Sequence, residues 1–120
     1  MITLKKFLLI NNIKQVYFSE KLNISNKILI NEFKLKSYND PNENTLFFGI
    51  YEIEDYSRIF YHKGKKWLLF EGNDLELDSK YQIKLLEYTF NINLDGYIYF
   101  NEKKLNILNN IKPLLVNPYY

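Results

Sequence analysis

The 120-residue chain has no cysteine and no alanine, and its arginine and histidine occur once each, as Arg58 and His62. Without cysteine there are no disulfides, thiolate zinc sites or cysteine nucleophiles. One histidine excludes a histidine-rich metal site or a two-histidine nuclease within a single chain. The four glycines are isolated, so no glycine-rich phosphate loop is present, and no other catalytic motif occurs. We therefore expect neither a cofactor nor a metal.

Long apolar runs are also missing. The run at residues 7–10 has four residues, whereas a signal peptide needs about 7–15 and a membrane-spanning helix about 20. Hydrophobic residues make up 47% of the chain and charged residues 25%, which is typical of globular proteins. We expect a cytoplasmic protein without membrane association, folded as one globular domain over residues 1–120.

Five residue types dominate the composition. Asn, Lys, Ile, Tyr and Phe account for 65 of 120 residues, and their codons are rich in A and T, which indicates an A/T-rich bacterial or phage genome. Charge is uneven along the chain: residues 1–36 carry net +5 and residues 37–62 carry net −4, within a total of +2. These blocks either pair in the fold or present an acidic face to a partner.

Capping patterns predict three helices. Thr3 can cap the first helix, and Ser79 with Gln82 forms a capping box for another. Asn101 can cap a last helix, which Pro113 would end. Residues 27–36 alternate between apolar and polar side chains and favour a strand, with a helix capped by Ser25 as the alternative.

Two turns predict hairpins in the remaining chain. Residues 45–54 are rich in aromatic and β-branched residues and predict a strand. Lys63-Gly64 lies between residues 57–62 and 65–71, and a hairpin there would place Phe60 opposite Trp67.

Asp95-Gly96 is the strongest hairpin signal, between alternating residues 90–94 and 97–100. Together these patterns predict an α+β domain: a mainly antiparallel sheet built from hairpins, with two to three helices packed against it.

Three carboxylates at alternate positions, Asp74, Glu76 and Asp78, could in principle hold Mg²⁺ or Ca²⁺. On a strand, residues two apart lie roughly 6–7 Å from each other, which is too far for one ion without further ligands. We interpret them as a solvent-facing side of the chain.

The predicted hairpin suggests two further functions. One of its faces would carry Arg58, Phe60, Lys65 and Trp67, a mixture that suits stacking and phosphate contacts in a single-stranded nucleic-acid-binding protein. His62 and Arg58, with the nearby acids, also resemble the minimal set of a small metal-independent ribonuclease. We rank both below protein binding, because such residues occur by chance in any charged hairpin.

The sequence favours a non-catalytic protein-binding domain, most simply an immunity protein that neutralises a cognate toxin. The expected partner is a protein, with a basic toxin domain as the first candidate, because acids are concentrated in residues 40–55. We assign steering to the charges and buried contact area to the aromatic residues. The expected partner-binding residues are Glu52, Glu54, Asp55, Tyr56, Arg58 and Trp67.

Overall fold

The computed structural model describes residues 1–72, 74, 80–100 and 114–118. Its helices in these ranges, α1 to α4, are Leu4–Ile10, Ile24–Asn31, Ile53–Tyr61 and Lys80–Phe90. Its strands, β1 to β7, are Ile2–Thr3, Gln15–Phe18, Lys36–Ser37, Thr45–Phe48, Lys66–Phe70, Gly96–Tyr99 and Leu114–Asn117. They form one sheet in the order β1-β7-β6-β5-β4-β2-β3. None of the described helices is long and apolar enough to cross a bilayer.

Every neighbouring pair of described strands runs parallel. The expected antiparallel α+β sheet is therefore wrong, and the fold is a parallel α/β arrangement. Helices make the return connections: α2 joins β2 to β3, α3 joins β4 to β5, and α4 joins β5 to β6. Parallel neighbours require such crossovers, because the chain must return to the edge where the previous strand began.

The hairpin expected at Lys63-Gly64 does not form. Residues 53–61 are helix α3, so Phe60 is not paired with Trp67. The helix buries Asp55 and Ile59, four residues apart, as a packed helix does. Over only six residues, the apolar pattern of 57–62 fits both an alternating strand and a helix.

The hairpin at Asp95-Gly96 is also wrong, because α4 ends at Phe90 and β6 begins at Gly96 in parallel with β5. Asp95 immediately precedes the parallel strand β6, and Gly96 is its first residue. The Asp95 carboxylate accepts the Lys66 N–H at 2.8 Å, and the Asp95 N–H donates to the Lys66 carbonyl at 2.8 Å. A Cβ on Gly96 would lie 3.0 Å from Trp67 Cδ1, so glycine makes room for the indole.

The first half of the predicted strand over residues 27–36 belongs to helix α2, and a turn separates it from the two-residue strand β3. Helix was the alternative, but its N-cap is Asn23, whose side chain accepts the Ser25 N–H at 2.8 Å. The chain leaves the helix through Lys34, which has a φ of 57°.

Several local predictions are confirmed. Thr3 caps α1 by accepting the Lys6 N–H at 3.2 Å. The strand predicted over residues 45–54 is confirmed for Thr45–Phe48 but not for residues 53–54, which begin α3, and β5 lies within the predicted strand 65–71. A helix begins at Lys80 as expected, but the Ser79–Gln82 capping contacts, the predicted helix after Asn101 and most of the 74–78 segment lie outside the described residues.

Apolar side chains form a cluster on each face of the sheet. Helices α1 and α2 cover the first cluster, and α3 and α4 cover the second. Successive strand residues alternate between the two: Leu46 and Phe48 belong to the first cluster and Phe47 to the second. All four residues of β4 and all five of β5 are buried, as expected for central strands of a parallel sheet.

The strand order changes direction between β2 and β4. From β2 the chain moves to β3 at one edge, whereas β4 to β7 progress toward the other edge. In doubly wound sheets, ligands bind outside the carboxyl ends of the strands at such a switch point. This crevice is therefore the first place to look for a site.

Candidate functional site

Asp55 fills the crevice at the switch point. Its carboxylate is 1% exposed and accepts the Ser19 hydroxyl at 2.7 Å, the Tyr51 N–H at 2.9 Å and the Glu52 N–H at 3.0 Å. Burial, followed by the negative charge of Asp55, raises the pKa of Tyr17 to about 12. An internal carboxylate thus takes the donors at the start of α3, where a bound phosphate would sit in a nucleotide-binding protein.

The backbone on the β4 side of the crevice is equally close-packed. Gly49 has a φ of +86°, and a Cβ there would lie 3.1–3.3 Å from Leu22, Ser19 and Tyr51. The crevice therefore offers a ligand little room, and we look elsewhere for a functional surface.

The acids that follow β5 hold loops together. Asp74 accepts N–H groups from Ile50 at 3.1 Å, Glu71 at 3.2 Å and Gly72 at 2.9 Å. Burial raises the pKa of Asp74 to about 6, although these three donors lower it. The Glu71 carboxylate accepts the Tyr51 hydroxyl and the Asn23 N–H at the start of α2. Among the described residues, no group of three acids or histidines is arranged to hold a metal.

The outer side of α3 carries a cluster of accessible aromatic side chains. Phe60 is 51% exposed and Tyr61 74%. Tyr56 stacks on Phe60 with ring centroids 5.9 Å apart, and its ring lies 5.6 Å from that of Tyr88 on α4. Phe60 also meets Tyr61 edge to face at 5.0 Å. We call these four residues the aromatic surface.

Two weak ion pairs involve the charged residues of α3 and its N-cap. Arg58 lies 4.0 Å from Glu54 one helical turn away, and Lys21 lies 3.6 Å from Glu52. Exposed pairs of this kind contribute about 0–1 kcal/mol, so little is lost if a partner replaces them. The charges of α3 are therefore available for intermolecular contacts.

A cavity of about 420 Å³ lies beside the aromatic surface, between α3 and the loop after β3. Glu54, Arg58 and Tyr61 form its helical wall, and Tyr38 and Pro41 belong to the loop wall. Because Tyr61 borders both the cavity and the aromatic surface, the two features form one continuous face.

Helix α3 is fixed at its C-terminal end by two buried groups. Lys66 Nζ donates to the carbonyls of Ile59 at 2.8 Å and His62 at 2.9 Å, which places a cation at the negative end of the helix dipole. Burial lowers the pKa of Lys66. The aromatic surface is thus held on a rigid element.

His62 connects α3 to the loop that forms the cavity. Its Nδ1 lies 2.9 Å from the Tyr38 hydroxyl and its Nε2 lies 2.8 Å from the Glu43 carbonyl. A carbonyl only accepts, so Nε2 carries the proton and Nδ1 accepts from tyrosine. Burial lowers the pKa of His62. The histidine of the ribonuclease hypothesis is thus 3% exposed, with both nitrogens engaged.

Five of the six expected partner-binding residues belong to one helix: Glu52 at its N-cap, then Glu54, Asp55, Tyr56 and Arg58. Asp55 lies in the interior, as described above. Trp67 is 6% exposed and meets Phe7 of α1 edge to face at 6.3 Å. The mixed aromatic and basic face expected of a nucleic-acid-binding hairpin is therefore absent.

Sequence reasoning missed three members of the aromatic surface as partner-binding residues. Phe60 and Tyr61 were assigned to a strand, although Tyr56 and Phe60 are four residues apart and would lie together on a helix. The contribution of Tyr88 depends on the packing of α3 against α4, which no local pattern shows. Comparison with protein-family models, curated proteins and solved structures finds no match for this chain.

Proposed function

We propose that the protein is a non-catalytic protein-binding domain of the inhibitor type, and that the aromatic surface is its main contact. One observation carries the proposal: the rings of Tyr56, Phe60 and Tyr61 on α3 and of Tyr88 on α4 form a connected set, in which all but the half-buried Tyr56 are exposed. Contiguous exposed apolar patches mark interaction sites. Tyrosine is also enriched among the residues that dominate binding energy.

The surroundings of the rings support a protein partner. Glu54 and Arg58 provide opposite charges beside the aromatic area, and the cavity next to Tyr61 can receive a side chain of the partner. An apolar centre with a charged rim is the usual anatomy of a protein interface. Because α3 is held at both ends, little conformational entropy would be lost on binding.

Within this class, we favour an immunity protein that binds and neutralises a toxin. The support is the lack of catalytic motifs in the sequence and the acids Glu52 and Glu54 at the start of α3. These acids would attract a basic toxin domain and increase the association rate at low salt.

The test begins with co-expression of the protein and the product of the adjacent gene in the source genome. Growth rescue would identify the toxin, and surface plasmon resonance would then measure its affinity. Phe60→Ala and Tyr61→Ala should each weaken binding by about thirtyfold, the effect of losing a hot spot of about 2 kcal/mol. Glu54→Lys should slow association more at low salt than at high salt.

Ile24→Ala is the matched control, because Ile24 is an exposed aliphatic residue on α2, across the sheet. It should leave the affinity for the toxin unchanged. Equal affinity of the wild type, Phe60→Ala and Tyr61→Ala would contradict the proposed surface. Tight, salt-sensitive binding of oligonucleotides that Phe60→Ala abolishes would contradict the proposed function.

A further inference from the structure

A second surface lies across the sheet from the aromatic surface, between α1 and the turn that follows α2. It is a cavity of about 280 Å³, lined by Leu8, Leu9, Ile13, Phe33 and Leu35. Lys5, Glu32 and Lys34 also line it. We call this cavity and its charged residues the basic groove.

Exposed aliphatic side chains extend the apolar area beyond the basic groove. Leu9 is 72% exposed, and Ile10, Ile24 and Ile28 are each more than half exposed. Ile24, Ile28 and Glu32 follow each other at intervals of four, so they form one stripe along α2 that leads to the groove. The apolar area is therefore elongated, with a concave part at one end.

Lysines outnumber acids at the groove itself, because Lys5 and Lys34 line it together with a single acid, Glu32. The first 36 residues, which form α1, α2 and their connections, contain seven lysines and two glutamates. Six of these lysines are exposed. Lys5 and Lys34 reach the groove from opposite elements, α1 and the turn after α2.

We propose that the basic groove binds an acidic amphipathic helix of a partner protein. The apolar side of such a helix would lie on Leu9 and the groove, and its acidic side would face Lys5 and Lys34. Recognition of this kind uses apolar anchors at positions i, i+3 or i+4 and i+7. This partner is distinct from the one at the aromatic surface, because the two surfaces belong to opposite layers of the fold.

Two observations favour a peptide helix over an anionic lipid surface. Leu8 and Ile13 are each at most 6% exposed and lie in the concavity, where a flat bilayer has no contact but a protruding side chain does. Glu32 continues the stripe of Ile24 and Ile28, and anionic headgroups would repel its carboxylate. A peptide can place a lysine opposite that single acid.

The test is selection from a phage-displayed library of random peptides about 16 residues long, enough for roughly 24 Å of helix. Peptides selected on the wild-type protein should be enriched in Asp and Glu and carry apolar residues at helical spacing. By fluorescence anisotropy, Leu9→Glu and Lys34→Glu should each weaken their binding by at least about tenfold. Added salt should weaken wild-type binding.

Ile53→Glu and Lys63→Glu are the matched controls, since both residues are exposed and belong to the α3 side. They should leave peptide binding unchanged. Because all four sites are exposed, urea unfolding should give near-wild-type stability for each variant. Peptides that bind Leu9→Glu as well as the wild type, or a selection without acidic enrichment, would overturn the proposal.

Vesicles of phosphatidylglycerol provide the lipid alternative in the same experiment. Vesicle binding that Leu9→Glu abolishes, with no peptide selected, would overturn the proposal in favour of a lipid surface. If Phe60→Ala abolishes toxin neutralisation but keeps peptide binding, the result supports our proposal that the two surfaces bind independently.

Discussion

Replacing Asp55 with alanine should lower the free energy of unfolding by about 3–5 kcal/mol. The substitution leaves three donors without their acceptor: the Ser19 hydroxyl and the N–H groups of Tyr51 and Glu52. Each buried donor without a partner costs about 1–3 kcal/mol. Water entering the vacated space would accept some of these hydrogen bonds, so the expected cost lies in the lower half of the range obtained by adding three such donors.

Asp55→Asn provides the graded comparison. An asparagine oxygen at the position of Oδ2 can accept the same three hydrogen bonds, and the amide can face the Tyr17 hydroxyl in place of Oδ1. The charge is lost, and the Tyr17 hydroxyl, which donates to Oδ1, would have to accept from the amide instead. Charge-assisted bonds are roughly twice as strong as neutral ones. We expect a cost of about 1–2 kcal/mol.

Urea unfolding with equal m-values would measure both effects. Glu54→Ala is the control, because Glu54 is the exposed neighbouring acid and its loss should change stability by about 0.5 kcal/mol at most. Equal destabilisation by alanine and asparagine would refute the hydrogen-bonding role of Asp55. Alanine within 1 kcal/mol of the wild type would refute its position in the crevice.

Three further outcomes test other parts of the structure. Gly64→Ala should destabilise by about 1–3 kcal/mol in urea unfolding, because its Cβ would lie 2.5 Å from the Asn42 carbonyl oxygen; a neutral effect would contradict this contact. His62 has a lowered pKa, so its contribution to stability should be present above about pH 6.5 and lost as the pH falls through its folded pKa. Asp74, with its pKa raised to about 6, contributes stability at low pH that is lost as the pH rises. The His62 effect is therefore the difference between wild type and His62→Gln in how the free energy of unfolding changes with pH. An equal slope of the free energy of unfolding against pH in both proteins would contradict it. Thr3→Ala should cost about 1 kcal/mol in urea unfolding through loss of the α1 cap, and an unchanged midpoint would argue against that cap.

Local signals in the sequence predict elements well where one residue decides the structure. The Thr3 hydroxyl satisfies an N–H at the start of α1, and that bond depends only on neighbouring residues. The apolar run that becomes β5 likewise shows its strand identity without reference to the rest of the chain. These predictions needed no knowledge of which strands are neighbours.

Strand direction depends on long-range pairing and was therefore predicted wrongly. The useful signal was the continuity of the apolar runs: Leu46, Phe47 and Phe48 are all buried, whereas a strand with one wet face alternates. Asp95-Gly96 was misleading because it does two other things, aligning β6 with Lys66 and leaving space for Trp67. An Asp-Gly pair is therefore compatible with the start of a parallel strand as well as with a hairpin turn.

The candidate site was predictable to the extent that it lies on one segment. Glu54 and Tyr56, expected as partner-binding residues because they are neighbours in sequence, both lie on α3. Asp55 and Tyr56 were expected at one surface. In the helix, the Asp55 side chain turns inward and accepts the N–H of Glu52 at the N-cap of α3. Tyr88 joins the site only through helix packing, which requires the complete fold.

The position of Asp55 explains why binding is proposed on helices and not at the switch point. A doubly wound sheet offers a ligand the free N–H groups at the start of a helix beside the switch point. Here the N–H groups of the N-cap residue Glu52 and of Tyr51 before it are already bonded to the Asp55 carboxylate, so an incoming anion would have to displace it against charge repulsion. That bond fixes the N-terminus of α3 as Lys66 fixes its other end. The interaction that closes the usual ligand crevice is thus the one that holds the aromatic surface in place.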